Sequence, residues 1–174
     1  GVSAQFDNDK ISYIKIKDNE MFKNFNSCDH WSISFWIKPV AVTTNGVIIS
    51  KGGQRVKQVY NRKNDLIEAV DINNRLPKPL ISPTGAPGDF SKIKTPFHIS
   101  LYDQKVHFQA SDGTNQLHIS SSVAYRGGWA HVLIQNSSSI CRMYINGQTT
   151  GTSGSLPTDT TNNSSYMFIG SSGR

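Results

Sequence analysis

The chain has 174 residues, of which 36% are hydrophobic and 17% are charged, and its formal net charge is +6. This length suits a single domain with its own core over residues 1–174 and is short for two. No apolar run approaches the roughly 20 residues of a membrane-spanning helix, and no nucleic-acid-binding motif accompanies the charge, so we expect neither a membrane span nor a nucleic-acid partner.

Alternating apolar and polar residues recur in short runs bounded by Gly, Asn, Asp or Pro, as is typical of β-strands. In chain order the runs are KISYIKIKD (10–18), SISFWIKP (32–39), GVIISK (46–51), PFHISLYD (96–103), KVHFQASD (105–112), QLHISSS (116–122), WAHVLIQN (129–136), ICRMYINGQ (140–148) and SYMFIGSS (165–172). No segment shows a sustained helical period. The pattern predicts an all-β fold, a two-sheet antiparallel sandwich or jelly roll.

Three turns can be placed between these runs. YDQK at 102–105, SDGT at 111–114 and Asn146-Gly147 each suit a hairpin, because Asp-Gly and Asn-Gly tolerate positive φ angles. A two-residue turn at Asp112-Gly113 would place His118 directly opposite His107.

The run around Trp36 has an unusual outer side. Its alternation directs Trp31, Ile33, Phe35 and Ile37 inward and leaves Trp36 outward, among serines and Lys38. The same alternation turns Arg142, Tyr144 and Phe168 outward. Aromatic rings beside polar groups suit sugars, which offer apolar faces and polar edges. We therefore name Trp36, Arg142, Tyr144 and Phe168 as candidate ligand-binding residues; alternatively, Trp36 packs under a neighbouring loop.

Histidines mark a second feature. The hairpin pattern turns His98, His107 and His118 outward on three successive strands. His107 and His118 would form either a metal-binding or pH-responsive pair, or part of a solvated polar face. The sequence sets no third metal ligand beside them.

Residues 53–95 depart from the strand pattern. They hold four of the seven prolines, and their eight Lys/Arg against four Asp/Glu contribute +4 of the net charge. We predict a loop or subdomain inserted into the domain. It would either cover a sheet edge or serve as an arm for oligomer contact or ligand recognition.

Several phrases resemble a known family in sequence and in order. SAQFDNDKISYIKI, WSISFWIKP, GVIISKG, WAHVLIQNSSSICRMYINGQ and LPTDTTNNSSYMFIGSS resemble the laminin-G-like and pentraxin-like branch of the concanavalin A-like lectin/glucanase superfamily. The resemblance covers residues 3–52 and 97–171. It implies two antiparallel sheets packed face to face, in a glycan-binding or adhesive module of a secreted, cell-surface or virion protein.

The chain also departs from this family. Residues 53–95 have no usual counterpart, and the family's further strand after IGSS is not present before Arg174. An open sheet edge would result, and this edge or the insertion could mediate homo-oligomer formation. The resemblance also implies calcium near the first strand, with Asp7 and Asp9 as candidate ligands, and no other cofactor.

Catalytic patterns are not found. The family's glycosidases carry closely spaced acids on one strand, and no E-x-D-x-E arrangement occurs here. GTSGS and GSSGR do not match the G-x-S-x-G nucleophile motif. Cys28 and Cys141 have no metal-ligand spacing; Cys141 is expected either to be a buried free thiol or to bridge to Cys28.

These observations predict a non-catalytic, lectin-like carbohydrate-recognition or adhesion module. The alternative is a structural or assembly domain of a virus or phage fibre or another surface appendage, without sugar binding. A non-standard polysaccharide-acting enzyme is a third interpretation.

Overall fold

The computed structural model of the protein describes residues 2–6, 12–19, 29–41, 45–51, 56–60, 66–71, 94–122, 127–157 and 166–170. Within these residues the chain forms twelve β-strands and no helix, and so no helix that could cross a membrane. The strands are Ile14–Ile16 (β1), His30–Ile37 (β2), Gly46–Lys51 (β3), Val56–Tyr60 (β4), Leu66–Asp71 (β5), Lys94–Tyr102 (β6), Lys105–Asp112 (β7), Gln116–Ser120 (β8), Ala130–Ser137 (β9), Ile140–Ile145 (β10), Gln148–Ser155 (β11) and Met167–Ile169 (β12).

Two antiparallel sheets form the body of the molecule. In the described part of the chain, one sheet has six strands in the order β1-β12-β3-β6-β7-β8, and the other has four in the order β11-β10-β9-β2. The strands β4 and β5 pair with each other as a separate hairpin. The predicted all-β sandwich is confirmed.

The core lies between the two sheets. Ile99, Phe108 and Ile119 stand in one row across β6, β7 and β8, and all three are fully buried. The second sheet contributes Val132, Ile134 and Met143, also fully buried. The four residues predicted to point inward from β2 pack against this cluster: Trp31, Ile33, Phe35 and Ile37. Burying these side chains supplies most of the free energy that holds the sheets together.

The hairpin turns follow the local sequence. Asp103 and Gln104 both have positive φ angles, as do Asn146 and Gly147, and the flanking residues pair directly. These are two-residue turns whose twist matches that of the strands. Both predictions are confirmed.

The turn between β7 and β8 is longer than predicted. The Asp112 carboxylate accepts hydrogen bonds from the backbone N–H groups of Thr114 and Asn115, at 2.8 and 2.7 Å. This side chain therefore closes a four-residue turn. The register shifts by two residues, so that His107 lies opposite Ser120 and His118 opposite Gln109. The predicted direct pairing of His107 with His118 is wrong.

The strand β11 was not predicted, because QTTGTSGS lacks apolar alternation. It follows the Asn146-Gly147 turn, pairs with β10 and is bulged where Gly151 has a φ of 77°. There Gly151 N–H donates to Ser122 Oγ, and Ser122 N–H donates to Thr150 Oγ1 at 2.9 Å. These bonds join the edge of the four-stranded sheet to the end of β8.

We predict that Gly151→Ala strongly destabilises the protein. An added Cβ would overlap the backbone carbonyl oxygen of Ser120, and the positive φ disfavours any side chain. We expect a loss of about 3 kcal/mol in the free energy of unfolding, measured by urea denaturation. The control is Gly46→Ala, since a Cβ there has open space. Equal stability of the two variants would contradict the prediction.

The strands on either side of the predicted insertion are neighbours in the six-stranded sheet. Strands β3 and β6 are hydrogen-bonded neighbours, with Lys51 opposite Phe97, so the chain leaves and re-enters the sheet at adjacent positions. The β4–β5 hairpin lies in this segment. Lys51 is fully buried, and its Nζ contacts Asp18 Oδ1 at 2.6 Å. The ion pair ties the residues after β1 to the end of β3.

Cys141 is a free thiol buried in the core. Burial raises its pKa to about 12, because the thiolate would lose its hydration there. This agrees with the free-thiol interpretation, and Cys28 lies outside the described residues.

Candidate functional site

On strands β6 and β7, the outer face of the six-stranded sheet is polar but buried. His98, Ser100, Gln109 and Ser111 alternate with core residues on β6 and β7, and each has an exposed fraction of 0 or 1%. The sequence predicts that His98 points away from the core, and in the structure it does lie on the outer side of β6. Its side chain is nevertheless fully buried and does not reach solvent. A ligand therefore has little access to this part of the sheet.

The outer face of the four-stranded sheet is open. We call this surface the open face, and it consists of Ser32, Ser34 and Trp36 on β2, His131, Leu133 and Gln135 on β9, Arg142 and Tyr144 on β10, and Thr149 on β11. All of these side chains are exposed or half-buried. These side chains can therefore contact a partner, unlike the buried outer residues of β6 and β7.

Trp36 is the most exposed ring of the open face, with 65% of its surface accessible. It lies opposite His131, and the two ring centroids are 5.1 Å apart. His131 is itself held: its Nε2 is 2.8 Å from Ser34 Oγ, and its backbone exchanges hydrogen bonds with Asn146. A fixed imidazole thus supports one side of the indole and leaves most of it accessible.

A second tryptophan extends this surface. Trp129 comes immediately before β9, with the same alternation as His131, and 52% of its surface is exposed. Trp129 is not among the candidate ligand-binding residues predicted from the sequence. Its outward position in WAHV was the available signal, since Ala130 and Val132 point into the core.

Tyr144 and Arg142 lie on β10 at the other side of the open face. Both are half-buried, opposite Leu133 and Gln135. In the described residues, neither side chain makes a hydrogen bond or an ion pair. By strand spacing, Arg142 is about 13 Å along the sheet and 10 Å across it from Trp36, with Tyr144 between them. Trp36, Tyr144 and Arg142 therefore share one surface, a point that the sequence left open.

Phe168 does not belong to this surface. It lies on β12 in the six-stranded sheet, only 6% exposed, with its ring 5.8 Å from that of Tyr13. Alternation identified its side of the strand but not its sheet, because β12 pairs with β1 and β3. The sequence left open which sheet each candidate belongs to, and Phe168 does not share a sheet with Trp36, Arg142 and Tyr144.

His107 and His118 do come together, across a diagonal of β7 and β8. His107 Nδ1 is 3.1 Å from His118 Nε2, and His107 Nε2 is 3.1 Å from the carbonyl oxygen of Tyr102. Since a carbonyl only accepts, Nε2 of His107 donates and its Nδ1 accepts from His118. Burial is the largest cause of the lowered pKa of both rings.

The metal-binding predictions are not decided by this geometry. Among the residues that the structure describes, no three His, Cys, Asp or Glu side chains cluster as a metal site would. The metal-binding or pH-responsive role of His107 and His118 stays a prediction. Asp7 and Asp9, the calcium candidates, lie outside the described residues.

A family model described as the concanavalin A-like lectin/glucanases superfamily, of the laminin G type, matches residues 81–174, more than half of the chain. A comparison with curated protein sequences found no match.

Solved structures resemble the fold at low sequence identity. Domains LG4-5 of the mouse laminin α1 chain match with a TM-score of 0.52 at 12% identity, over 91% of this chain and 32% of theirs. The binding domain of botulinum neurotoxin DC matches with a TM-score of 0.53 at 15% identity in complex with SialylT, and 0.54 at 14% with rat synaptotagmin II. Each neurotoxin match covers 90% of this chain and 31% of the other, so the chain spans about a third of the length of these proteins.

The family model covers more than half of the chain, and the two antiparallel sheets are consistent with it: the chain belongs to the concanavalin A-like lectin/glucanase superfamily.

Proposed function

We propose that this protein is a non-catalytic recognition module that binds glycans through the open face. The observation that carries the proposal is the exposure of Trp36 and Trp129 beside Tyr144 and polar groups that lack partners in the described residues. Such surfaces suit sugars, because indole and phenol rings pack on C–H faces while amide, guanidinium and hydroxyl groups reach the sugar hydroxyls.

The comparisons support a binding role at a coarser level. Botulinum neurotoxin DC uses a domain of this fold in complexes with SialylT and with rat synaptotagmin II. A fold supports many functions, so the proposal rests on the open face. The same resemblance supports our proposal that the module belongs to a secreted, cell-surface or virion protein.

The test is a glycan array probed with the purified protein, with calcium and with EDTA in parallel. Reproducible binding to one glycan class is the expected result, and loss of binding in EDTA would reveal a calcium site. A folded protein that binds no glycan in either buffer would contradict the proposal. It would favour the structural or assembly domain, with residues 53–95 or a sheet edge as the contact between copies.

A further inference from the structure

The open face has an uneven distribution of charge. Residues 127–157, which supply Trp129 and the strands β9, β10 and β11, contain no Asp or Glu. The strand β2 contains none either. The basic groups on or beside the open face are Arg142 and the exposed Lys38 that follows β2, with the imidazole of His131 between them.

Arg142 is the most informative of these groups. A guanidinium that is partly withdrawn from water is stabilised by a carboxylate or similar anionic partner, because taking a charge out of water costs free energy. No acidic side chain of the described residues pairs with it. Its five N–H groups are therefore available, in a planar arrangement that matches two oxygens of a carboxylate or sulfate.

Its neighbours complete a subsite. Tyr144 lies two residues further along β10, on the same side of the strand, and Gln135 lies directly opposite Arg142 on β9. A sugar ring packed on the phenol of Tyr144 could direct an acidic substituent to the guanidinium and a hydroxyl to the amide. The two tryptophans lie beyond Tyr144. Trp36 is about 13 Å from Arg142 along the strands.

We infer that the ligand is an acidic oligosaccharide, whose carboxylate or sulfate binds Arg142 while an adjoining sugar packs on Trp36. The inference rests on the proposed function and adds the charge and the length of the ligand. A monosaccharide cannot contact both ends of the open face, and a neutral glycan leaves Arg142 without a counter-ion.

The experiment compares matched pairs of oligosaccharides by calorimetry. A sialylated trisaccharide, a uronic-acid tetrasaccharide and a sulfated tetrasaccharide are each measured beside the uncharged counterpart that lacks the acidic group. We expect at least one acidic form to bind about 10- to 100-fold more tightly, the usual effect of a charge-assisted hydrogen bond. The responding ligands distinguish carboxylate from sulfate.

Two substitutions assign the effect to Arg142. Arg142→Gln should remove the preference for acidic ligands, and Arg142→Lys should retain only part of it, since an ammonium lacks the planar pair of donors. Lys105→Gln is the control, because it removes one positive charge from β7 in the other sheet. Circular dichroism should show that all three variants are folded.

The possible results separate the two proposals. Equal binding of neutral and acidic forms, or an acidic preference that survives Arg142→Gln, would overturn the inference while glycan recognition stands. Failure of every oligosaccharide to bind the folded wild-type protein would overturn both. An equal loss in Lys105→Gln and Arg142→Gln would show that net charge is responsible, and would also overturn the assignment to Arg142.

Discussion

Replacing Trp36 with alanine is expected to weaken glycan binding by about 30-fold or more while the protein remains folded. Tryptophan is enriched among the interface residues whose replacement by alanine costs about 2 kcal/mol or more of binding free energy, and each 1.4 kcal/mol is a factor of ten in affinity. Stability should change little, because Trp36 is largely exposed and its ring contact in the described residues is with His131. Calorimetry with the glycan selected on the array measures the first quantity, and urea denaturation the second.

Two controls make this result specific. Trp36→Phe keeps a flat aromatic ring and should retain part of the affinity, as stacking on a sugar requires. Val40→Ala shortens another exposed apolar side chain, just after β2, and should leave binding unchanged. If Trp36→Ala binds as tightly as the wild type, the open face is not the binding surface, and packing under a neighbouring loop becomes the better interpretation.

The second large effect concerns acid stability. Burial lowers the pKa of His98 from 6.5 to about 3, because the charged imidazole would lose its hydration. Its neighbours across the sheet, Ser50 and Gln109, are uncharged. The unfolded chain therefore binds a proton at His98 below pH 6.5 while the folded protein does not. The resulting stability is fully present above about pH 6.5 and is lost progressively as the pH falls towards 3.

We expect the free energy of unfolding to fall by about 1.4 kcal/mol per pH unit from His98 alone. The lowered pKa values of His107 and His118 act in the same direction. Urea denaturation between pH 6.5 and 4.5 measures the slope in a range where most carboxylates remain ionised.

The variant His98→Gln should remove most of this slope, whatever its effect on stability at neutral pH, since glutamine does not titrate. The matched control is His30→Gln, at an exposed position at the start of β2. A wild-type stability that is flat over this range, or a slope unchanged by His98→Gln, would show that the folded protein protonates His98 readily.

The histidine result illustrates the limit of periodicity as a guide. Alternation correctly placed His98 on the outer side of β6, because successive side chains of a strand point to opposite faces. Whether an outer side is wet depends on what the rest of the chain places over it. On β6 and β7 the outer face of the six-stranded sheet is buried, whereas the outer face of the four-stranded sheet is open. His98 and Trp36 both alternate with core residues along their strands, yet His98 is fully buried and Trp36 is exposed.

Register depended on a single side chain. Asp112-Gly113 indicated a hairpin, and a hairpin is present, but the Asp112 carboxylate extends the turn by accepting hydrogen bonds from two backbone N–H groups. The shift of two residues preserves the face, since side-chain direction repeats every two residues. His107 and His118 therefore still meet, on a diagonal, at 3.1 Å.

The sequence by itself determined the fold class, nearly every strand of the two sheets and the inward set on β2, because these follow from the period of apolar residues and from turn chemistry. It also identified Trp36, Arg142 and Tyr144 as outward-facing. Only the tertiary structure decided that these three share one sheet, that Phe168 belongs to the other, and that Trp129 extends the same surface. Strand order arises from contacts between residues far apart in the chain, such as β3 with β6 and β2 with β9, and no local pattern encodes which distant strand will be the neighbour.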